Sequence, residues 1–340
     1  MFKPKRVIFE KGARNYPLGE TLYEQFSKAG NVEIYEAATN QVKKSIPGDN
    51  LHDMYRHGKQ TLVVGIKKSL KFQSCRPSAH YQLPLVSGCM AQCEYCYLNT
   101  QLGDKPFVRV HVNIEEILGQ ALKYTEERLP KITIFEGAAT SDPLAVEPYT
   151  HALAKCITYF GENENTRFRF VSKFNGVDSL INLNHNNHTE IRFSLNTPYV
   201  INTYEHLTAS SKLRIEAASK LSHAGYPIGF IIAPVFMYPN WKEYYHNLLV
   251  SIKEQMPQNL AHPIIFEVIS HRYTIRAKNR IMQIFPETTL PMTEEERTFK
   301  YGQFGYGKYI YPKEALADEK QFFISELDKL FPYKDLKYII

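Results

Sequence analysis

Between residues 80 and 272, short β-rich runs alternate with longer stretches in which apolar residues return at every third or fourth position. The runs at 82–87 (QLPLVS), 131–136 (KITIFE), 167–172 (RFRFVS), 189–195 (TEIRFSL), 227–235 (PIGFIIAPV) and 263–270 (PIIFEVIS) predict six strands. Helices are predicted between them over 114–129, 148–160, 211–225 and 241–256. Strands that alternate with helices of this length form parallel βα units, and right-handed crossovers curl such a sheet into an incomplete barrel. The expected fold class is therefore α/β, with a partial (β/α)6 barrel over residues 80–290. Residues 1–79 read as a separate N-terminal α/β region, with strands at RVIFE and TLVVGI and a helix at LGETLYEQFSKAG. Residues 291–340 add a Gly- and Tyr-rich stretch (YGQFGYGKYIYP), expected as a hairpin, and a last amphipathic helix. No internal repeat or low-complexity tract is present.

Composition narrows the class without naming a function. A chain of 340 residues with 44% apolar and 22% charged content can bury a full core. Its start, MFKPKRVIFEKG, lacks the apolar run and cleavage site of a signal peptide, and no later run reaches the roughly 18 apolar residues of a membrane span. A cytoplasmic protein with no membrane partner is expected. A formal charge of +6 permits a nucleic-acid partner but does not require one. Five cysteines, three of them crowded into eight residues, make a poor disulfide framework and a good metal site.

Those three cysteines carry the chemistry. In SGCMAQCEYCYL, Cys89, Cys93 and Cys96 are spaced C-x3-C-x2-C in a loop directly after a predicted strand. Three soft thiolates from one loop suit an iron–sulfur cluster. A four-iron cluster so held leaves one iron open to a small molecule. The alternatives are a zinc site completed from elsewhere, with His80 as a candidate, or a packed cysteine group without metal. Barrel enzymes assemble function where strands end. Glu136, Gly137, Ala138 and Ser141 follow the second strand, Lys173 and Asn175 the third, Ser194 and Asn196 end the fourth, and His271 and Arg272 follow the last. Singly each is as readily a helix cap or a satisfied polar group.

The motif C-x3-C-x2-C followed by the aromatic Tyr97 resembles the signature of the radical S-adenosylmethionine (SAM) superfamily. That resemblance implies a [4Fe–4S] cluster on Cys89, Cys93 and Cys96. It also implies reductive cleavage of SAM to a 5′-deoxyadenosyl radical, and SAM contacts from Glu136, Gly137, Ala138, Ser141, Lys173, Ser194 and Asn196. A wider set of segments is similar to the spore photoproduct lyase family: YPLG, TLVVG, LKF, PSAHYQLP, FEGAATSDP, GYPIGFIIAP, FEVISHRYT and GYGKYIY, in this order over nearly the whole chain. The implied activity is a carbon–carbon lyase reaction, the reversal of 5-thyminyl-5,6-dihydrothymine to two thymines in ultraviolet-damaged double-stranded DNA of a spore or germinating cell. An electron donor such as a flavodoxin or ferredoxin is implied as partner.

Two departures from the family pattern stand out. The resemblance implies a hydrogen-donor cysteine in the segment written here FEGAATSDP, and the matching position is Ala139. Cys156 sits in an apolar helical stretch and reads as core. Cys75, in the polar segment QSCRPSAHY, is the candidate substitute donor, with Tyr95 and Tyr97 implied as relays. The second departure is Gln303, where the family pattern has arginine. An enzyme that extrudes a lesion needs cations for phosphates and aromatics for stacking. HRYTIRAKNR supplies His271, Arg272, Arg276, Lys278 and Arg280, and YGQFGYGKYIY supplies Tyr306 and Lys308. The alternatives kept open are another radical SAM enzyme acting on nucleic acid and a non-catalytic iron–sulfur DNA-binding protein. A helix-turn-helix at 214–233 is disfavoured, because its second half is β-rich and apolar where a recognition helix is polar.

Overall fold

RVIFE is apolar at its centre and buried at all five positions, as expected of a strand covered on both faces. In the computed structural model, which describes residues 2–301 and 307–340, it is an inner strand of a largely parallel sheet. The order is Glu33–Ala37, Arg6–Glu10, Thr61–Gly65, Val108–His111, then Val86–Ser87, which runs antiparallel. This sheet lies in the first of two compact units, Met1–Gln92 with Gln101–Glu190. The same unit holds a second set of strands, with Ser74–Cys75 antiparallel to Ala79–Gln82, and Ala79–Gln82, Thr133–Glu136 and Thr166–Ser172 in parallel succession. Phe135, Phe160 and Phe168 stack in sequence beneath them, with ring centroids 5.3 and 5.4 Å apart.

Two elements differ from the sequence expectation, each for a local reason. The run at 82–87 is two strands, Ala79–Gln82 and Val86–Ser87, which join different sheets. Pro84 lies between them and has no N–H with which to continue a ladder. The helix expected at 148–160 is Glu147–Thr150 and Ala152–Gly161, broken at His151 in the left-handed region (φ 48°). The break has a partner: the Glu147 carboxylate accepts from the Leu153 and Ala154 amides at 2.8 and 2.9 Å, satisfying the orphan donors of the next helix. Burial nevertheless pushes Glu147 up to about 7.

The second unit, Cys93–Thr100 with Ile191–Ile340, is built on parallel pairings of Thr189–Leu195, Ile228–Val235, Ile264–Ser270 and Lys334–Ile339 in that order. Phe193, Phe230, Phe266, Tyr245 and Phe323 are fully buried there. The chain then forms the hairpin Thr298–Tyr301 with Gly307–Ile310 and the helix Lys313–Leu330. Among the described residues, no helix is long and apolar enough to cross a membrane.

Candidate active site

In the first unit, the path to Cys89 is held by close backbone contacts. The strand Val86–Ser87 ends at Gly88, whose φ is +76° and where a Cβ would stand 2.0 Å from the Phe107 carbonyl oxygen. Only glycine fits such an approach. The Gly88 amide donates to the Thr140 carbonyl at 3.0 Å, and Gly88 forms an isolated parallel bridge with Ser141. The residue before Cys89 is thereby pinned to the segment EGAATSD. Two carboxylates shape that segment. Asp142 accepts from the Ser172 hydroxyl and the Lys173 amide, both at 2.8 Å, so Lys173 leaves its strand beside Ser141. Glu136, buried, accepts from the Ala138 amide at 3.2 Å, meets Arg169 Nε at 3.4 Å and faces the Ser78 hydroxyl at 3.5 Å.

Arg169 in turn donates to the Ser78 carbonyl at 2.9 Å. Ser78 lies three residues after Cys75, so the arm that carries this thiol is tied to the Glu136 strand end. Cys75 and Ala139 are both half-buried. Cys156 is fully buried, and burial pushes its thiol well above the ordinary value, which leaves it inert packing. His80, the candidate fourth zinc ligand, accepts from the Ile134 amide at Nδ1 (2.9 Å) and serves the strand pairing. Its pKa is lowered by burial, then by the Arg128 and Arg76 charges.

In the second unit, the loop between Cys93 and Cys96 is a tight turn closed by the Cys96 amide donating to the Cys93 carbonyl at 3.1 Å. Asn99 Nδ2 donates to the Cys93 and Glu94 carbonyls, each at 3.1 Å. The Tyr95 hydroxyl donates to Glu205, and its pKa is raised by burial and by that carboxylate. The other Glu205 oxygen accepts from Arg214 at 2.6 Å, and Arg214 donates to the Ser194 carbonyl at 2.8 Å. A fully buried ion pair thus joins Tyr95 to the strand end at Ser194. Neither Glu205 nor Arg214 stands out in the sequence, because nothing local marks an arginine in a helix as buried. Tyr97 is 50% exposed. Asn196, by contrast, is sealed in. Its Oδ1 accepts from the Tyr245 hydroxyl (2.8 Å) and the Thr197 amide (3.0 Å), and its Nδ2 donates to the Pro234 carbonyl (2.7 Å). These bonds make it a brace for the strand end.

The basic segment divides. His271 is buried against Phe236, accepts from Arg297 at 3.3 Å, and is lowered to about 3 by burial and by the Arg297 charge. It is neutral at physiological pH, which corrects its reading as a phosphate contact. Lys278 is paired with Glu294 at 3.0 Å, and Arg280 donates to the Asn99 carbonyl at 3.2 Å. Arg272 and Arg276 remain exposed. On the hairpin, Lys300 lies directly opposite Lys308. The Lys308 ammonium is lowered by burial and then by the Arg272 and Lys300 charges. Lys300 is the residue sequence reasoning missed, and only the hairpin register reveals it. Tyr306 and Gln303 lie outside the described residues.

The fit to a cluster and to SAM rests on the donor set. None of the five cysteines is in a disulfide, so three thiols in C-x3-C-x2-C stand ready as soft ligands. Among the described residues, no three His, Cys, Asp or Glu side chains already stand in ligating geometry, so the spacing carries this fit. The Ser141 hydroxyl, beside Gly88, is buried with no hydrogen-bond partner. Buried polar groups without partners are uncommon in native structures, and one in this place suits a polar ligand.

Comparison with known proteins settles the family. The sequence profile described as "Spore photoproduct lyase" matches residues 2–340. The chain belongs to the spore photoproduct lyase family. The spore photoproduct lyase of Clostridium acetobutylicum is 50% identical over 99% of this chain and 98% of its own length. That of Bacillus subtilis is 43% identical over 99% and 98%. A solved spore photoproduct lyase variant, with one cysteine exchanged for alanine and one serine for cysteine, superposes with a TM-score of 0.95 at 42% identity. It covers 100% of this chain and 99% of its own, and it holds AdoMet and dinucleoside spore photoproduct. The α/β fold of the radical SAM type, the lyase class and the role in DNA repair expected from the sequence are those of the spore photoproduct lyase family.

Proposed function

We propose that this chain binds SAM and a [4Fe–4S] cluster and reverts 5-thyminyl-5,6-dihydrothymine in DNA to two thymines, with Cys75 in place of the donor thiol missing at Ala139. The carrying observation is the bridge between Gly88 and Ser141, which sets the first cysteine of the cluster loop beside the EGAATSD segment. When bound, cluster and SAM supply a deoxyadenosyl radical that takes hydrogen from the lesion. Cys89, Cys93 and Cys96 hold the cluster. Gly137, Ala138, Ser141, Lys173 and Ser194 are the SAM contacts, with Glu136 fixing the turn of the first four through the Ala138 amide and Asn196 bracing the strand that ends at Ser194.

After the methylene bridge breaks, the thymine radical needs a hydrogen atom. The Cys75 S–H bond breaks and a C–H bond forms on the base, and the sulfur is left one hydrogen short. Tyr97 would restore the S–H bond from its own O–H and recover that hydrogen atom from the methyl group of 5′-deoxyadenosine, while Tyr95, whose hydroxyl donates to Glu205, keeps the loop in place. Support for Cys75 comes from its half-buried position on an arm tied through Ser78 to the Glu136 strand end. The solved relative that holds both AdoMet and lesion also pairs the loss of a cysteine to alanine with the gain of one at a serine.

Arg272, Arg276, Lys300 and Lys308 are the phosphate contacts, supported by their exposure or their mutual crowding. A low-potential one-electron donor of the flavodoxin or ferredoxin kind feeds the cluster, and the enzyme works in the cytoplasm of a spore or germinating cell. Anaerobic reconstitution with iron, sulfide, SAM and dithionite tests the reading. Deoxyadenosine and free thymines from ultraviolet-treated dry DNA are expected. Cys75→Ala retains deoxyadenosine formation and loses most repaired product; full repair by this variant overturns the donor assignment.

A further inference from the structure

The helix Leu51–Lys59 ends on a lysine that is 2% exposed. Its ammonium donates to the Cys89 carbonyl at 2.9 Å and the Ala91 carbonyl at 2.6 Å, and lies 5.3 Å from the Tyr55 ring centroid. The end of this helix is also packed closely at Gly58, where a Cβ would meet the Pro106 carbonyl oxygen at 2.4 Å. Among the described residues, Lys59 has no carboxylate partner within ion-pair distance. A buried ammonium without an anion is costly, and two carbonyl dipoles offset only part of that cost. Buried charges are normally paired or hydrogen-bonded to an opposite charge. Here the missing anion coincides with the loop that carries the cluster thiolates.

We infer that Lys59 is a positioning residue for the cluster: its two hydrogen bonds shape the Cys89–Ala91 turn, and its fixed positive charge favours the reduced, more negative state of the cluster. The inference rests on the radical SAM reading above. A cluster gains negative charge when it accepts an electron, and a cation held in a dry loop stabilises the reduced form more than the oxidised one. Distance favours the effect, because the ammonium bonds the backbone of a ligand residue directly. The same contact orders the turn before any iron arrives.

Three variants separate the clamp from the charge. Lys59→Arg keeps the charge and donors, Lys59→Gln keeps donors without charge, and Lys59→Met removes both. The readouts are iron per chain after reconstitution, the cluster midpoint potential from a mediated titration followed by electron paramagnetic resonance, and the alkylation rate of Cys89 in metal-free protein. Lys59→Gln is expected to load iron and to be about tenfold harder to reduce, a shift of about 59 mV to more negative potential. Lys59→Arg stays near the parent, and Lys59→Met shows faster alkylation of Cys89 without metal. An unchanged potential in Lys59→Gln with full iron overturns the charge role, and unchanged alkylation in Lys59→Met overturns the clamp. Failure of both neutral variants to fold, with Lys59→Arg folded, assigns Lys59 to the scaffold and also overturns the proposal. If the parent chain itself takes up no iron, the radical SAM reading fails instead.

Discussion

The segment His271–Arg280 and the hairpin strands Thr298–Tyr301 and Gly307–Ile310 look alike in sequence, both basic and aromatic, but the fold treats their charges in opposite ways. In the first, His271 is neutral and enclosed, Lys278 is matched by Glu294, and Arg280 caps a carbonyl. In the second, Lys300 and Lys308 face one another across the ladder, and Arg272 adds its charge to theirs. Cross-strand like charges destabilise a hairpin. A count of basic residues therefore overstates the first segment, where Arg272 and Arg276 alone of the basic side chains are exposed, and charge without an internal partner is the better sign of a polyanion surface.

Breaking the internal region should cost stability rather than binding. Arg297 donates to the His271 and Pro291 carbonyls at 3.0 and 2.8 Å and lies 3.5 Å from the Tyr311 ring centroid. Arg297→Met is expected to lower unfolding free energy by about 2–4 kcal/mol in urea titrations, since it leaves buried acceptors unmatched. The next effect is a pH response. Because His271 is held at about 3 against an ordinary 6.5, the unfolded chain binds the extra proton in that window. Stability from this group is complete above pH 6.5 and declines below it, by about 2 kcal/mol at pH 5. Glu147 and Glu319, pushed up to about 7 by burial, act with the opposite sign, and their contribution is lost as pH rises through 7. His271→Asn should remove only the acid-side decline, seen by comparing melts of the two proteins between pH 5 and 7.

The hairpin should respond in affinity. Lys300→Gln with Lys308→Gln is expected to flatten the plot of log affinity against log salt by about 1.8 units, about 0.9 for each phosphate no longer neutralised. At fourfold different salt this amounts to about a tenfold change in relative affinity. An unaltered slope would remove the hairpin lysines from the DNA surface and leave it to Arg272 and Arg276. The smallest effect belongs to Lys278→Gln, which removes one half-buried pair worth about 1 kcal/mol, with no change in salt slope.

How much of this was legible followed the range of the interaction concerned. The parallel strand runs and the C-x3-C-x2-C spacing were readable because periodicity and spacing are local properties of the chain. The break at Pro84 was also in plain view, yet the apolar residues on either side of it read as one run. Other features depend on distant partners: Glu205 with Arg214, nine positions apart but inside a core, His271 with Arg297, and Lys59 with the Cys89 turn. Burial decides each of them, and burial is a property of the fold. Asn196 shows the same limit from the other side, since a polar residue at a strand end was readable while its engagement by Tyr245 was not.

The cross-strand lysines have a consequence for motion. A ribbon whose facing charges repel is held together less firmly than its hydrogen bonds alone would allow, and whatever anion neutralises it shifts its opening equilibrium by mass action. Amide exchange in Thr298–Tyr301 and Gly307–Ile310 should therefore slow when DNA binds, so that this short ribbon reports occupancy before any bond in the lesion has changed.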